Sequence, residues 1–235
     1  KLPLGIYTVK EVQAPANYGL NPTVFTADIE FAGQVVKLNV TDPVITAGVS
    51  IKKTGYAQTM NNNIMRWTVS AVRNNSATAL QSFYWRDTLP TDAVRLTRLV
   101  TGTYSTMQTY KVTFTTNLNS QWRTAYDNLS TAKNYTLDMS SAALGLASNE
   151  YVTQFMLSFG IVPAGFHQLT NATVDAQTLY ALTNGYKFTN KADVGGLLGG
   201  NWVQSIARWT TSIYSHYVPA KPAAPKSPTL PRTGY

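Results

Sequence analysis

Apolar and polar residues alternate one for one along most of this chain, a period that suits β-strands and no helix. In "IMRWTVSAV" the alternation turns Met65, Trp67, Val69 and Ala71 inward. In "SFYWRDTLP" it puts Phe83, Trp85 and Asp87 on one face until Pro90 stops the run. "AGVSIKKTGY" aligns Val49, Ile51 and Lys53, and "YKFTNKADVGG" aligns Tyr186, Phe188 and Asn190. "NEYVTQFMLSFG" reads as a longer strand, and "NWVQSIARWTTSIY" closes the unit. "RLVTGTYS" and "TYKVTFTTN" predict a hairpin, while "SQWRTAYDNLS" and "NATVDAQTLYALTN" predict short helices. Strands at this spacing, separated by turn residues, predict an all-β, immunoglobulin-like sandwich with short helical insertions over residues 45–217.

A smaller unit precedes it. "GIYTVKEV" puts Tyr7, Val9 and Glu11 on one face. "APANYGLNP" is a loop, and "TVFTADIEF" and "QVVKLNVTD" read as strands joined through Ala32-Gly33. In the latter, Val36, Leu38, Val40 and Asp42 share a face. Residues 1–44 therefore read as the last strands of a sandwich whose earlier strands are missing. From about Val218 the run "VPAKPAAPKSPTLP" predicts a stiff polyproline-II spacer over residues 218–235. With no signal peptide and an opening already in a strand, the chain reads as a fragment of a longer precursor, cut at both ends.

Composition narrows the function classes. The 235 residues carry a formal net charge of +8, but the basic residues are scattered without a Lys/Arg run, and Lys221, Lys226 and Arg232 sit in the tail. This is a solvated surface suited to anionic wall polymers and not a nucleic-acid groove. There is no cysteine, so disulfides, thiolate metal sites and cysteine nucleophiles are excluded. His167 and His216 stand alone, without metal-ligand spacing. Asp28 and Glu30 read as a solvated face. Gly195-Gly196 and Gly199-Gly200 are followed by no Lys-Ser/Thr and read as a hairpin loop and not a phosphate loop.

One oddity recurs: an apolar inward face that ends on a lone polar residue. Glu11 and Asp42 are such residues in the first unit; Lys53, Asp87 and Asn190 are such residues in the second. Buried charges are costly unless paired. Grouped, the second set has a chemical use. A lysine desolvated among aromatic rings loses its proton and becomes a nucleophile, and a buried carboxyl stays protonated and can polarise an amide carbonyl. Attack of the amine on the asparagine carbonyl, with loss of ammonia, leaves a Lys–Asn isopeptide bond without any cofactor. Lys52 competes with Lys53, although alternation favours Lys53, and Glu150 is a second candidate for the acid.

"GIYTVKEVQAPANYGL" resembles the Gly-x-Tyr-x-x-x-Glu-x-x-Ala-Pro-x-x-Tyr signature of the prealbumin-like B-type domains of Gram-positive pilins and adhesins. That resemblance implies Glu11 as promoter and Asp42 as acceptor of an isopeptide bond whose lysine would lie upstream of residue 1. "VSIKKTG", "YWRDTLP" and "FTNKADVGG" resemble the larger A-type pilin domains. "LPRTG" is similar to the Leu-Pro-x-Thr-Gly sorting signal, which implies that a sortase binds Leu230, Pro231, Arg232, Thr233 and Gly234. It would cleave after Thr233 and pass the Thr233 carbonyl to an amine of peptidoglycan or of a neighbouring pilin subunit. The expectation is an extracellular, cell-wall-anchored stalk or pilin subunit that is not a turnover enzyme. The alternative is an adhesin whose second unit binds a host ligand or glycan. An exposed aromatic groove would favour binding, and a smooth surface over a buried Lys–Asp–Asn cluster would favour a stalk. A wall hydrolase would need a pocket with paired acids, and the sequence offers none.

Overall fold

The computed structural model describes residues 3–13, 18, 21–42, 47–55, 58–60, 64–179 and 182–214. The sorting motif, the proline-rich tail and His216 lie outside these residues. All regular structure among the described residues is β. The first unit supplies β1 (Gly5–Lys10) and β2 (Val24–Ile29), an antiparallel pair. The rest of the chain runs through β3 (Val49–Gly55), β4 (Gln58–Met60), β5 (Ile64–Asn74), β6 (Leu80–Thr88) and β7 (Val94–Val100). It continues through β8 (Thr103–Tyr104), β9 (Thr109–Thr116), β10 (Arg123–Ser130), β11 (Thr136–Asp138) and β12 (Val152–Val162). It ends with β13 (Gln168–Thr170), β14 (Ala172–Thr178), β15 (Lys187–Leu198) and β16 (Asn201–Tyr214).

Two sheets form the sandwich. One has seven strands in the order β10-β9-β12-β6-β15-β16-β4, and the other has five in the order β11-β7-β14-β5-β3. Between them lies a single core that includes Trp67, Trp85, Phe83, Phe155 and Leu157, all with no solvent exposure. The inward phase of β6, Phe83–Trp85–Asp87, follows the alternation read from the sequence. Next to β6 in the same sheet, β15 turns into β16 through Gly199 and Gly200, with φ of 54° and 86°. Two consecutive positive φ values make the tight hairpin turn whose twist matches that of its strands, which explains the glycine pair.

Several expectations are corrected. The two segments expected to hold helices are strands: "SQWRTAYDNLS" supplies β10 and "NATVDAQTLYALTN" supplies β14. β14 sits between β7 and β5 with Val174, Asp175 and Ala176 buried, so ladder pairing on both sides outweighs any local helical preference. The expected hairpin of "RLVTGTYS" and "TYKVTFTTN" does not form, because β7 belongs to the five-stranded sheet and β9 to the seven-stranded one. "QVVKLNVTD" has no ladder partner among the described residues and is not a strand, and Val35, Val36 and Val40 are exposed. Ala71 faces solvent instead of the core. Its φ of 55° breaks the two-residue phase of β5, so that Val72 and Asn74 are buried instead.

Outside the core, two buried carboxylates tie neighbouring strands. Asp193 on β15 is held by Arg86 of β6 through Nε at 3.1 Å and Nη2 at 3.0 Å. Asp175 on β14 accepts from Arg66 of β5 and Arg98 of β7, one arginine on each side. In both cases the paired residues stand directly opposite in the ladder.

The sheets come very close where β3 meets β16. A Cβ on Gly55 would lie 2.7 Å from Cδ1 of Trp209 and 2.8 Å from Cδ1 of Trp67. Neither ring is a flexible chain end, so the added methyl forces the layers apart. Gly55→Ala is expected to destabilise the fold by roughly 1–3 kcal/mol, read as a lowered urea midpoint. An unchanged midpoint would show that the contact is not tight.

Candidate functional site

Lys53 is the inward residue next to the end of β3, the edge strand of the five-stranded sheet. Packed sheets lie about 10 Å apart, and lysine is long enough to cross that gap. Its Nζ is ion-paired with Oδ2 of Asp87 on β6 of the opposite sheet, and both side chains are completely shielded from solvent. Lys52, the competing amine, is exposed. Glu150, the competing acid, is engaged elsewhere: it is ion-paired with Arg123 and accepts from Thr116 Oγ1 at 2.7 Å.

Asn190 lies in the same pocket of the core. Asp87 stands opposite Ala192 in the β6–β15 ladder, so Asn190, two residues along β15 on the same face, is its diagonal neighbour. Asn190 is fully buried, yet its Oδ1 and Nδ2 make no hydrogen bond, and neither does Asp87 Oδ1. The amide lies near enough to pull the Asp87 carboxyl down against the push of burial, yet it completes no hydrogen bond. Three orphaned buried polar atoms in one place are costly and call for an explanation.

The walls are aromatic. Lys53 Nζ is 5.8 Å from the centre of the Trp67 ring, and Trp67 meets Phe188 edge-on at 6.3 Å. On the other side Trp85 packs against Phe155 at 5.6 Å. Removal from water pushes the Lys53 amine below its usual range, and the attraction of Asp87 only partly opposes this. The same burial pushes the Asp87 carboxyl up, against the pull of Lys53. Both shifts favour a neutral amine beside a neutral acid. These shifts run in the direction that a nucleophilic amine and a proton-donating acid require, beside a buried amide that makes no hydrogen bond.

In the first unit the backbone amide of Asn21 donates to Glu11 Oε2 at 2.7 Å, and the Asn21 side chain donates to the Thr41 carbonyl at 2.9 Å. This brings Glu11 beside Asp42. Loss of hydration and the neighbouring Glu11 carboxylate push the Asp42 carboxyl up. One oxygen of Asp42 is buried without a hydrogen bond. Leu230, Pro231, Arg232, Thr233 and Gly234 lie outside the described residues.

The sequence reading did not single out Asp193, Arg86, Trp122 or Trp202. Asp193, Arg86 and Trp202 fall on outward phases and Trp122 just before a strand, and what joins them is neighbourhood across strands, which a single sequence does not display.

No known family profile matches the chain, and no curated protein is detectably similar to it. Among solved structures, the full-length major pilin SpaD of Corynebacterium diphtheriae is similar over 89% of this chain and 47% of its own, at 14% identity and a TM-score of 0.37. The major pilin subunit of Bacillus cereus is similar over 91% and 56%, at 11% identity and 0.32. The collagen-binding domain of a Staphylococcus aureus adhesin is similar over 69% of this chain and 99% of its own, at 12% identity and 0.28. The chain spans about half the length of the two pilins.

The buried pair makes a prediction. Asp87→Ala leaves the buried Lys53 amine without its partner, and removing one member of a buried pair is expected to cost about 3–5 kcal/mol. Adding Lys53→Met removes the stranded amine, so the double variant should be more stable than Asp87→Ala alone. Urea unfolding of the two variants checks this, and equal stability would mean that Lys53 is not held in the core.

Proposed function

We propose that this chain is a load-bearing segment of a Gram-positive cell-surface protein, a pilin subunit or adhesin stalk. In this reading it is locked by a self-formed Lys53–Asn190 isopeptide bond and joined to the wall through its LPRTG motif. The observation that carries the reading is the sealed cluster of Lys53, Asp87 and Asn190, whose amide is buried and unengaged. A chain without cysteine can gain a covalent staple outside the cell by this chemistry.

The step balances. The neutral Lys53 amine attacks Asn190 Cγ while the protonated Asp87 carboxyl donates toward the amide oxygen. The new Nζ–Cγ bond forms, the Cγ–Nδ2 bond breaks, and Asp87 relays the lysine's spare proton to the leaving group, which departs as ammonia. Asp87 ends as it began, so the bond forms once per molecule and the protein is no turnover enzyme. The first unit would supply a second such site, with Glu11 as promoter and Asp42 as acceptor. At the tail, a sortase would hold Leu230 to Gly234 as an extended strand and transfer the Thr233 carbonyl to an amine of peptidoglycan or of another subunit.

Intact-mass measurement of the folded protein is expected to show one ammonia fewer than the sequence requires. Lys53→Ala, Asn190→Ala and Asp87→Ala should each restore the full mass. The cross-link closes a loop of more than about 100 residues, for which the chain-entropy contribution is about 5 kcal/mol. Asn190→Ala should therefore unfold at a clearly lower temperature. A full, unmodified mass in the correctly folded protein would overturn the bond.

Anchoring has its own test. Incubation with a sortase and an amine nucleophile should yield a product that ends at Thr233 and carries that amine, and Thr233→Ala should abolish it. Failure of transfer would remove the anchoring half of the reading and leave the cross-link untouched.

A further inference from the structure

The outer face of the seven-stranded sheet carries a groove of about 650 Å³, floored by β6, β12 and β9. Two tryptophans stand in it: Trp122, just before β10, and Trp202, at the start of β16, which are 39% and 60% exposed. Single exposed aromatic rings are ordinary, but two tryptophans lining one groove form a clustered apolar surface of the kind that marks binding sites. Trp202 is held edge-on to Tyr84 at 6.1 Å. Gln204 bridges Tyr84 and Asp193, and the Arg86–Asp193 pair completes this support. The aromatic platform is thus fixed before any ligand arrives.

The floor is bent at this point. Ser82 on β6 has φ of 51° and Gly160 on β12 has φ of 74°, and the ladder between the two strands slips there. Such bulges bend the strand and increase its local twist, and they recur beside functional sites.

The chemistry of the lining selects the ligand class. β9, β12 and β6 are all paired on both sides, so the floor offers side chains and no strand edge for a peptide to extend. Its charges balance: Lys111 and Arg86 are matched by Asp127 and Asp193, which gives no net pull on a polyanion. Around the rings stand donors and acceptors. Arg86 uses Nε and Nη2 on Asp193, and its Nη1 has no partner among the described residues. Lys111 has no carboxylate partner among the described residues, and Asp127 supplies an acceptor. Aromatic faces ringed by both donors and acceptors match a sugar, with an apolar C–H face and hydroxyl groups that donate and accept. We propose that this groove binds a neutral oligosaccharide, with pyranose rings stacked on Trp122 and Trp202 and hydroxyls held by Lys111, Arg86 and Asp127.

The groove opens on the face opposite Lys53, Asp87 and Asn190, so it can fail while the cross-link stands. The test is titration of the full chain with lactose, N-acetyllactosamine, chitotriose and 3′-sialyllactose, followed by tryptophan fluorescence and calorimetry. At least one neutral sugar should bind with little dependence on salt. Trp122→Ala and Trp202→Ala should each weaken it by roughly tenfold, the scale expected for a truncated aromatic anchor. Both variants should keep the wild-type melting temperature and the loss of ammonia. Lys111→Ala should weaken binding several-fold. The proposal is overturned if none of the neutral sugars binds, if binding survives both tryptophan substitutions, or if only 3′-sialyllactose binds and salt abolishes it.

Discussion

A lysine and an aspartate, both cut off from water, bridge the two sheets of this sandwich, and the surrounding core is arranged around that fact. An ion pair in such a place is expensive to desolvate and stabilises little on balance. It persists because the aromatic rings of Trp67, Trp85, Phe155 and Phe188 seal it and because Gly55 lets the layers close over it. The same desolvation pushes the amine and the acid toward their neutral forms, which is the condition the proposed cross-linking step requires.

Strand β6 shows how a period of two divides labour. Its inward phase carries Phe83, Trp85 and Asp87 into the core. Its outward phase carries Tyr84, which supports Trp202, and Arg86, which fixes Asp193. One stretch of backbone therefore serves a sealed, dry site and an open, wet groove. Each side tolerates changes that the other does not feel, since a substitution at Trp202 alters no contact of Lys53.

Much of this was legible in the sequence wherever alternation held. Lys53, Asp87 and Asn190 stood out because each is a polar residue on an apolar phase. The reading broke where the backbone departs from a plain strand. Ala71 was misplaced because its positive φ shifts the phase of β5, and no residue type at that position signals it. The hairpin expected near residue 102 was a crossing between sheets, because local pattern cannot say which sheet a strand joins. The helical reading of β14 failed because pairing on both sides decided the matter. The groove was invisible for the same reason: Trp122 and Trp202 are 80 residues apart in sequence and meet only through the fold.

The arginine–aspartate clamps bear on how such a chain finds its native alignment. Asp175 is flanked in the ladder by Arg66 and Arg98, and Asp193 faces Arg86. A slip of one residue would turn each carboxylate toward the greasy interior and leave its arginines facing nothing. Wrong alignments are thereby penalised at three strand boundaries without any oxidative step. For a protein with no cysteine to reshuffle, an error made early could not be corrected by thiol exchange. These charge pairs act as proofreaders of strand alignment during the search.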